Sequence, residues 1–260
     1  MDIEAPKPNK VMKSVDRALG VLRYFTVAEP ELGLAEITRR TGLDKATVHR
    51  ILTALSRNGL LEQISVSKKY RLGAEALRLA RVREASIPIS AIITPVLNHL
   101  AAETGETAHA TLGSGDGMLC IGISEPQRAT RVHVDPSAML PFYASASGQA
   151  YSAYVEAERL KDILEVNQYE VFTNATPKDE RDFLRRIETA RENGFAVAHG
   201  TFEEDTVGVA APFFDAGGKA IGAVAVAGLS ARMDGEALAR TGAMVCAAAK
   251  EVTRQLGGTA

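Results

Sequence analysis

Apolar residues recur at helical spacing through the first part of the chain. Val15, Leu19, Val21, Leu22 and Phe25 form one stripe, with Ser14 in position to cap it. Glu29-Pro30-Glu31 interrupts the pattern. Leu34, Ile37 and the residues to Thr41 predict a short second helix that Gly42 stops. Asp44 fits the N-cap of a third helix, in which Val48, Ile51, Leu52 and Leu55 keep the spacing of one buried face. Asn58-Gly59 ends it with a left-handed stop. Residues 60–64 and 69–72 are extended runs around a polar turn, a small hairpin, and 74–84 predict a further helix carrying Leu77, Leu79 and Ala80.

After Pro88 the pattern changes. A helix from about residue 91 runs to Gly105, and strands then alternate with helices. The strands are expected at 108–112, 118–124, 131–134, 195–198, 206–214 and 219–229, several joined by Gly/Asp turns. Helices are expected at 147–154, 156–164, 178–192 and 236–255. The whole is an α+β chain with a change of character between residues 73 and 90.

Charge sharpens that division. The 260 residues carry 30 Lys+Arg against 32 Asp+Glu, a net of −2 that would argue against a polyanionic partner if it were uniform. It is not uniform: residues 1–85 hold 16 basic and 10 acidic side chains, a net of +6, and the remainder carries −8. A basic module attracts phosphates because neutralising them releases condensed counterions. The two cysteines, Cys120 and Cys246, lie far apart among apolar neighbours and read as small buried hydrophobes. Residues 1–10 are polar, read as a disordered tail and lack the apolar stretch of a signal peptide. Apolar runs such as 220–229 are too short to span a bilayer, so a cytoplasmic protein with no membrane partner is expected.

Three helices with a Thr41-Gly42-Leu43 turn, followed by a hairpin, make a winged helix-turn-helix. If the third helix buries Val48, Ile51, Leu52 and Leu55, its other side presents Lys45, Ala46, His49, Arg50, Thr53 and Arg57. An α-helix fits the major groove with its N-terminal residues near base edges. Arg50 can read guanine or hold a phosphate, and Thr47 can donate to a phosphate near the helix N-terminus. His49 can equally be an ordinary surface residue. In the wing, Lys68, Lys69 and Arg71 suit the DNA backbone or minor groove. Ser14 and Arg17, at the start of the first helix, complete the set of candidate DNA contacts. A small helical domain with a solvated basic face is the alternative.

Enzyme signatures are absent. The glycine-rich 113–117 lacks the Gly-Lys-Ser/Thr of a phosphate loop, and no Gly-x-Ser-x-Gly elbow occurs. His49, His99, His109, His133 and His199 show no metal-ligand spacing, and His109 and His133 fall on expected strands, where packing is the ordinary role. No metal or cofactor is expected.

Two sets of motifs carry a resemblance. The run from Ser14 to Leu22, Leu34-Ala35-Glu36-Ile37, the run from Thr41 to Leu52 and Tyr70-Arg71-Leu72-Gly73 are similar to the DNA-binding half of IclR (isocitrate lyase regulator) transcription factors. Gly105-Glu106-Thr107-Ala108, the run from Pro141 to Ala150 and the run from Val209 to Asp215 resemble that family's effector domain. The resemblance covers residues 11–255. It implies a winged helix over 11–73, a linker helix over 74–90 and an effector-binding domain over 91–260. That domain would be GAF-like, a curved antiparallel sheet with flanking helices. It also implies a palindromic double-stranded DNA operator, a homodimer or tetramer, and a small organic acid as effector. The linker helix, with its Leu77/Ala80 face, is a dimer candidate or a helix packed within its own chain.

In the family the ligand lies over the sheet, beneath the loop that is Ala146-Ser147-Gly148 here. Backbone N–H groups at a helix start suit a carboxylate, although Ser147 can also be an ordinary cap. The remaining pocket positions carry over to Ala129, Val132, Ala198, Thr206, Gly208, Ala225 and Ala227. Relatives that bind very small acids have acidic, cysteine and serine side chains where this chain has Ala198, Gly208, Ala225 and Ala227. Asp205 replaces a usual glycine, Tyr143 a usual histidine and Gln149 a usual lysine. A roomier, less polar pocket suits an aromatic or medium-sized organic acid. His199 and Glu203 are possible polar anchors. An enzyme using this pocket and a DNA-binding or scaffolding protein without a ligand remain the competing readings.

Overall fold

The computed structural model describes residues 12–259, so the expected tail lies outside the described residues. The chain forms two compact units, to Ile87 and from Pro88.

The first unit holds α1 (Lys13–Leu22), α2 (Leu34–Thr41), α3 (Lys45–Arg57), β1 (Leu61–Gln63), β2 (Tyr70–Leu72) and α4 (Ala74–Ser86). Val21, Phe25, Leu32, Ile37, Val48, Leu52, Leu55, Leu61 and Tyr70 form its core. Each fully buried Val, Leu or Ile among them contributes roughly 1.5–3 kcal/mol. Gly42 sits at φ 64, the left-handed turn a helix-turn-helix requires between α2 and α3. Asp44 caps α3 by accepting from Thr47 N at 2.9 Å. Ser14 does not cap α1. The helix begins at Lys13 after Met12, with no side-chain cap, and Ser14 lies exposed in its first turn. Ile51 is half-buried rather than fully inside. The wing is the antiparallel pair β1–β2, to which Leu32 adds an isolated bridge with Tyr70.

In the second unit α5 (Ile89–Thr104) leads into β3 (Thr107–Ser114) and β4 (Gly117–Ser124). Next come β5 (Met139–Pro141), α6 (Ala146–Ser152), α7 (Ala157–Val166) and α8 (Glu180–Asn193). β6 (Ala196–His199), β7 (Thr206–Phe214), β8 (Ala220–Leu229) and α9 (Gly235–Gln255) complete it. The six strands form one curved antiparallel sheet in the order β5-β4-β3-β8-β7-β6, with register shifts between β3 and β4 and between β7 and β8 of the kind that bends a sheet.

Alternation along the central strands separates two cores. Ala108, Ala110, Val207, Val209, Val224 and Val226 face α5 and α9. On the other face, with α6 and α8, stand Ala198, Ala210 and Ala225. Valines of β7 and β8 fill much of the first side; alanines and glycine leave depth on the second.

The strand expected at 131–134 does not form. Val132 and Val134 are buried and Arg131 and His133 exposed, which reproduces strand alternation, but the segment has no ladder partner. One-sided burial alone produced the pattern. The edge of the sheet is instead β5, where Leu140 pairs with Met118. Two helix starts also differ: Ser145 caps α6 by accepting from Gly148 N, and Asp179 caps α8 by accepting from Asp182 N. Ser147 therefore lies inside α6 and is not its cap. Cys120 is buried and Cys246 half-buried, and burial pushes both thiols up. Among the described residues no single helix is long and apolar enough to cross a membrane.

Candidate functional site

On α3, Lys45, Ala46, His49, Arg50, Thr53 and Arg57 are exposed while Val48, Leu52 and Leu55 are buried. Lys45, Ala46, His49 and Arg50 line one open hollow with Leu34. Arg50 Nη2 donates to Thr47 Oγ1 at 3.1 Å, so Thr47 steadies the guanidinium. Thr47 also serves the cap, and its hydroxyl is the leading cause that holds the Asp44 carboxyl below its ordinary range. Lys68 stands exposed in the wing turn at φ 59, with Lys69 exposed beside it. Arg71 is paired with Glu62 across the hairpin at 2.5 Å, an exposed pair of small energetic weight. Ser14 and Arg17 are exposed on α1, away from the α3 hollow's lining. α4 buries none of its residues and leaves Leu77, Leu79 and Val82 open.

In the second unit a cavity of about 230 Å³ lies on the alanine-rich face of the sheet beside α6. Val132, Ala146, Ser147, Ala198, Thr206, Gly208, Ala225 and Ala227 all line it. Two of the expected residues do not. Ala129 is exposed in the loop after β4, where no ladder holds it against the sheet. Gly148 turns its missing side chain toward the Phe142 backbone, closer than a real Cβ could stand, so it lets α6 pack rather than facing the cavity. Gly208 does face it; a methyl there would meet the Ala146 methyl at 3.1 Å.

Of the two possible anchors, Glu203 lines the cavity and His199 does not. His199 follows Ala198 on β6, and alternation turns it out to solvent. Tyr143 and Gln149 serve the loop itself. The tyrosine hydroxyl donates to Glu170 O at 3.1 Å, and buried Gln149 donates to Tyr143 O at 2.9 Å. Phe202 covers one side and packs on Phe172 at 4.9 Å between ring centres.

His109, His133, Val134, Asp135, Ala138, Leu140 and Thr201 also line the cavity and were not anticipated there. Period-two alternation on β3 was the available signal for His109, since Ala108 and Ala110 face the other core. Burial drives its pKa down to about 4, so the ring is neutral at neutral pH. Among the described residues no lysine or arginine lines this cavity. α6 brings the first-turn N–H groups of Ala146 and Ser147 to the same wall, donors without acceptors inside the helix.

Residues 84–254 match the family model described as bacterial transcriptional regulator IclR C-terminal, and residues 14–65 match the IclR helix-turn-helix domain. The chain belongs to the IclR family of transcriptional regulators. It is 31% identical to the transcriptional regulator BhcR of Paracoccus denitrificans over 93% of this chain and 86% of that one. A crystal structure of an IclR transcriptional regulator from Silicibacter superposes with a TM-score of 0.85 at 34% identity, covering 95% of this chain and 97% of that one. An IclR homolog complexed with 4-hydroxybenzoate, from Microbacterium hydrocarbonoxydans, has a TM-score of 0.74 at 21% identity, covering 94% and 98%, and shares the fold. As an IclR-family chain this protein combines a DNA-binding helix-turn-helix with an effector domain.

Proposed function

We propose that this chain is a ligand-responsive regulator that binds a palindromic operator as a homodimer, or as a tetramer of paired dimers. Its C-terminal domain takes an aromatic or medium-sized organic acid, and that binding shifts operator affinity. The observation that carries the reading is the alanine-walled cavity on the sheet, which the first turn of α6 borders through Ala146 and Ser147. The 4-hydroxybenzoate held by the Microbacterium homolog supports an aromatic acid as the class to try first.

Lys45, Thr47, His49 and Arg50 are the proposed major-groove set, supported by the exposure of Lys45, His49 and Arg50 and by the hydrogen bond from Arg50 to half-buried Thr47. Lys68, Lys69 and Arg71 are proposed for the backbone or minor groove, and Ser14 and Arg17 for flanking phosphates. The uncovered leucines of α4 favour a seam between copies over packing within the chain. Residues 11–73, 74–90 and 91–260 are the proposed working divisions. A regulator of this kind acts in the cytoplasm, where the DNA is. Catalysis forms no part of the proposal: Ser147 and His109 lie 3.5 Å apart, but nothing among the described residues partners His109 Nδ1 to orient the ring as a base.

An operator mobility shift with and without a panel of acids tests the reading. Aromatic acids are expected to change operator affinity and raise the melting temperature. Stabilisation by glyoxylate or pyruvate but by no aromatic acid would refute the ligand class. Operator binding untouched by any acid would favour a constitutive DNA-binding protein.

A further inference from the structure

Most polar groups around the cavity are already committed. Ser145 Oγ donates to Pro141 O at 2.8 Å and accepts from Gly148 N. Thr206 Oγ1 donates to Glu203 O, and Thr201 Oγ1 to Ala144 O. The Asp135 carboxylate accepts from the amide and hydroxyl of Ser137 at 2.8 and 2.6 Å. His133 leans on Glu125 at 3.3 Å. Ser147 Oγ and His109 stand apart from this pattern. The ring reaches Ser147 only at 3.5 Å through Nε2, and its Nδ1 is buried with no partner although the residue is just 5% exposed. A buried polar ring left half-satisfied costs stability, and here it borders an apolar chamber large enough for a small ligand.

A carboxylate entering this chamber loses water and needs donors and a counter-charge. Ser147 supplies a hydroxyl donor. The neutral imidazole carries one N–H; a proton taken from solvent adds the second and the charge. The other ionisable groups lining the cavity are His133 and Asp135 on the segment after β4 and Glu203 on the loop before β7. Opposite His109, β4 presents Ile123 and β8 presents Ala225, neither of which titrates. Asp135 and Glu203 repel an anion and so increase the need for a positive partner.

We propose that His109 and Ser147 form the recognition point for the effector's carboxylate, and that His109 takes up one proton from solvent when an aromatic monocarboxylic acid binds. This rests on the acid reading of the cavity given above. The proton adds to a ring nitrogen, no other bond forms or breaks, and the bound pair is imidazolium and carboxylate. Selection follows: an acid gains the ion pair and its neutral amide does not.

The test is calorimetric titration of the full chain with benzoate, 4-hydroxybenzoate and 4-hydroxybenzamide, in two buffers of different ionisation enthalpy. Nitrogen NMR of the His109 ring is followed alongside. The acids are expected to bind with buffer-dependent heat equal to uptake of about one proton. Their affinity should fall by up to about tenfold per pH unit as pH rises above the free ring's titration. The ring signals should move to those of imidazolium on binding, and the amide should bind more weakly without proton uptake. H109Q is expected to abolish the uptake and S147A to weaken binding of the acids. If H109Q does not fold, the ring signals of the unaltered protein decide. Acid binding without proton uptake, or uptake retained in H109Q, overturns the proposal and leaves the acid reading standing. Failure of both acids to bind at any pH overturns the two together.

Discussion

Gly208 shows how a single absent side chain shapes this molecule. It sits on the cavity face of β7, with the Ala146 methyl 3.1 Å from where its own Cβ would stand. A valine there would fill the floor of the cavity. G208V is expected to keep operator affinity but lose the rise in melting temperature on adding aromatic acids, compared by differential scanning fluorimetry and mobility shift. Gly148 acts differently, because a Cβ would collide with the Phe142 backbone, which has no flexible end to move aside. G148A should destabilise the effector domain by about 1–3 kcal/mol, the usual cost of overpacking, read from urea denaturation. His109 carries a pH signature of its own. Its folded pKa of about 4 lies below the unfolded value of about 6.5, so the unfolded chain binds the proton more tightly. Stability is full above about pH 6.5 and falls as pH drops toward 4, by about 3 kcal/mol at complete titration. Melting curves between those limits should be flatter for H109Q than for the unaltered protein.

At the scale of the element, α3 is an amphipathic helix whose two faces have separate duties. Val48, Leu52 and Leu55 anchor it, which leaves Lys45 and Arg50 on the exposed side. K45A or R50A should weaken operator binding, with a loss of about 1–3 kcal/mol if Arg50 reads a base. Retained affinity in both variants would remove α3 from the interface. The wing differs in kind: K68A and K69A should lower affinity evenly across DNA sequences. Each should also reduce the slope of affinity against salt by about one, because one phosphate fewer is neutralised. α4 exposes Leu77, Leu79 and Val82 and fully buries none of its residues. Replacing Leu77 and Val82 by aspartate should shift the chain toward monomer in sedimentation velocity and weaken operator binding with it. An unchanged oligomer would deny α4 a place in the seam.

Over the whole molecule the sequence announced two parts through a change of charge sign, and two compact units divide at Ile87. Elements with strong periodicity and local caps were legible: α3 between Asp44 and Gly59, the wing, β7, β8 and α9. Boundaries slipped where the capping residue had a near neighbour of the same type, as with Ser145 against Ser147. The segment 131–134 misled for a deeper reason. Alternation records which side of a chain is buried, and a loop lying on a cavity obeys it as faithfully as a strand. Most of the expected cavity residues sit on strands or on α6, where period and motif place them. Ala129 and Gly148 do not line the cavity, because one belongs to a loop without a ladder and the other packs against backbone. What the sequence by itself determined is therefore local and periodic: the helices, the strand faces, the basic module and the family motifs. Only the tertiary structure decided which ends of those faces converge. It closed the alanines of β6 and β8 and the glycine of β7 around a chamber. It also buried His109 beside Ser147 with a ring nitrogen unmatched, because that depends on contacts between residues 38 positions apart that no local pattern encodes.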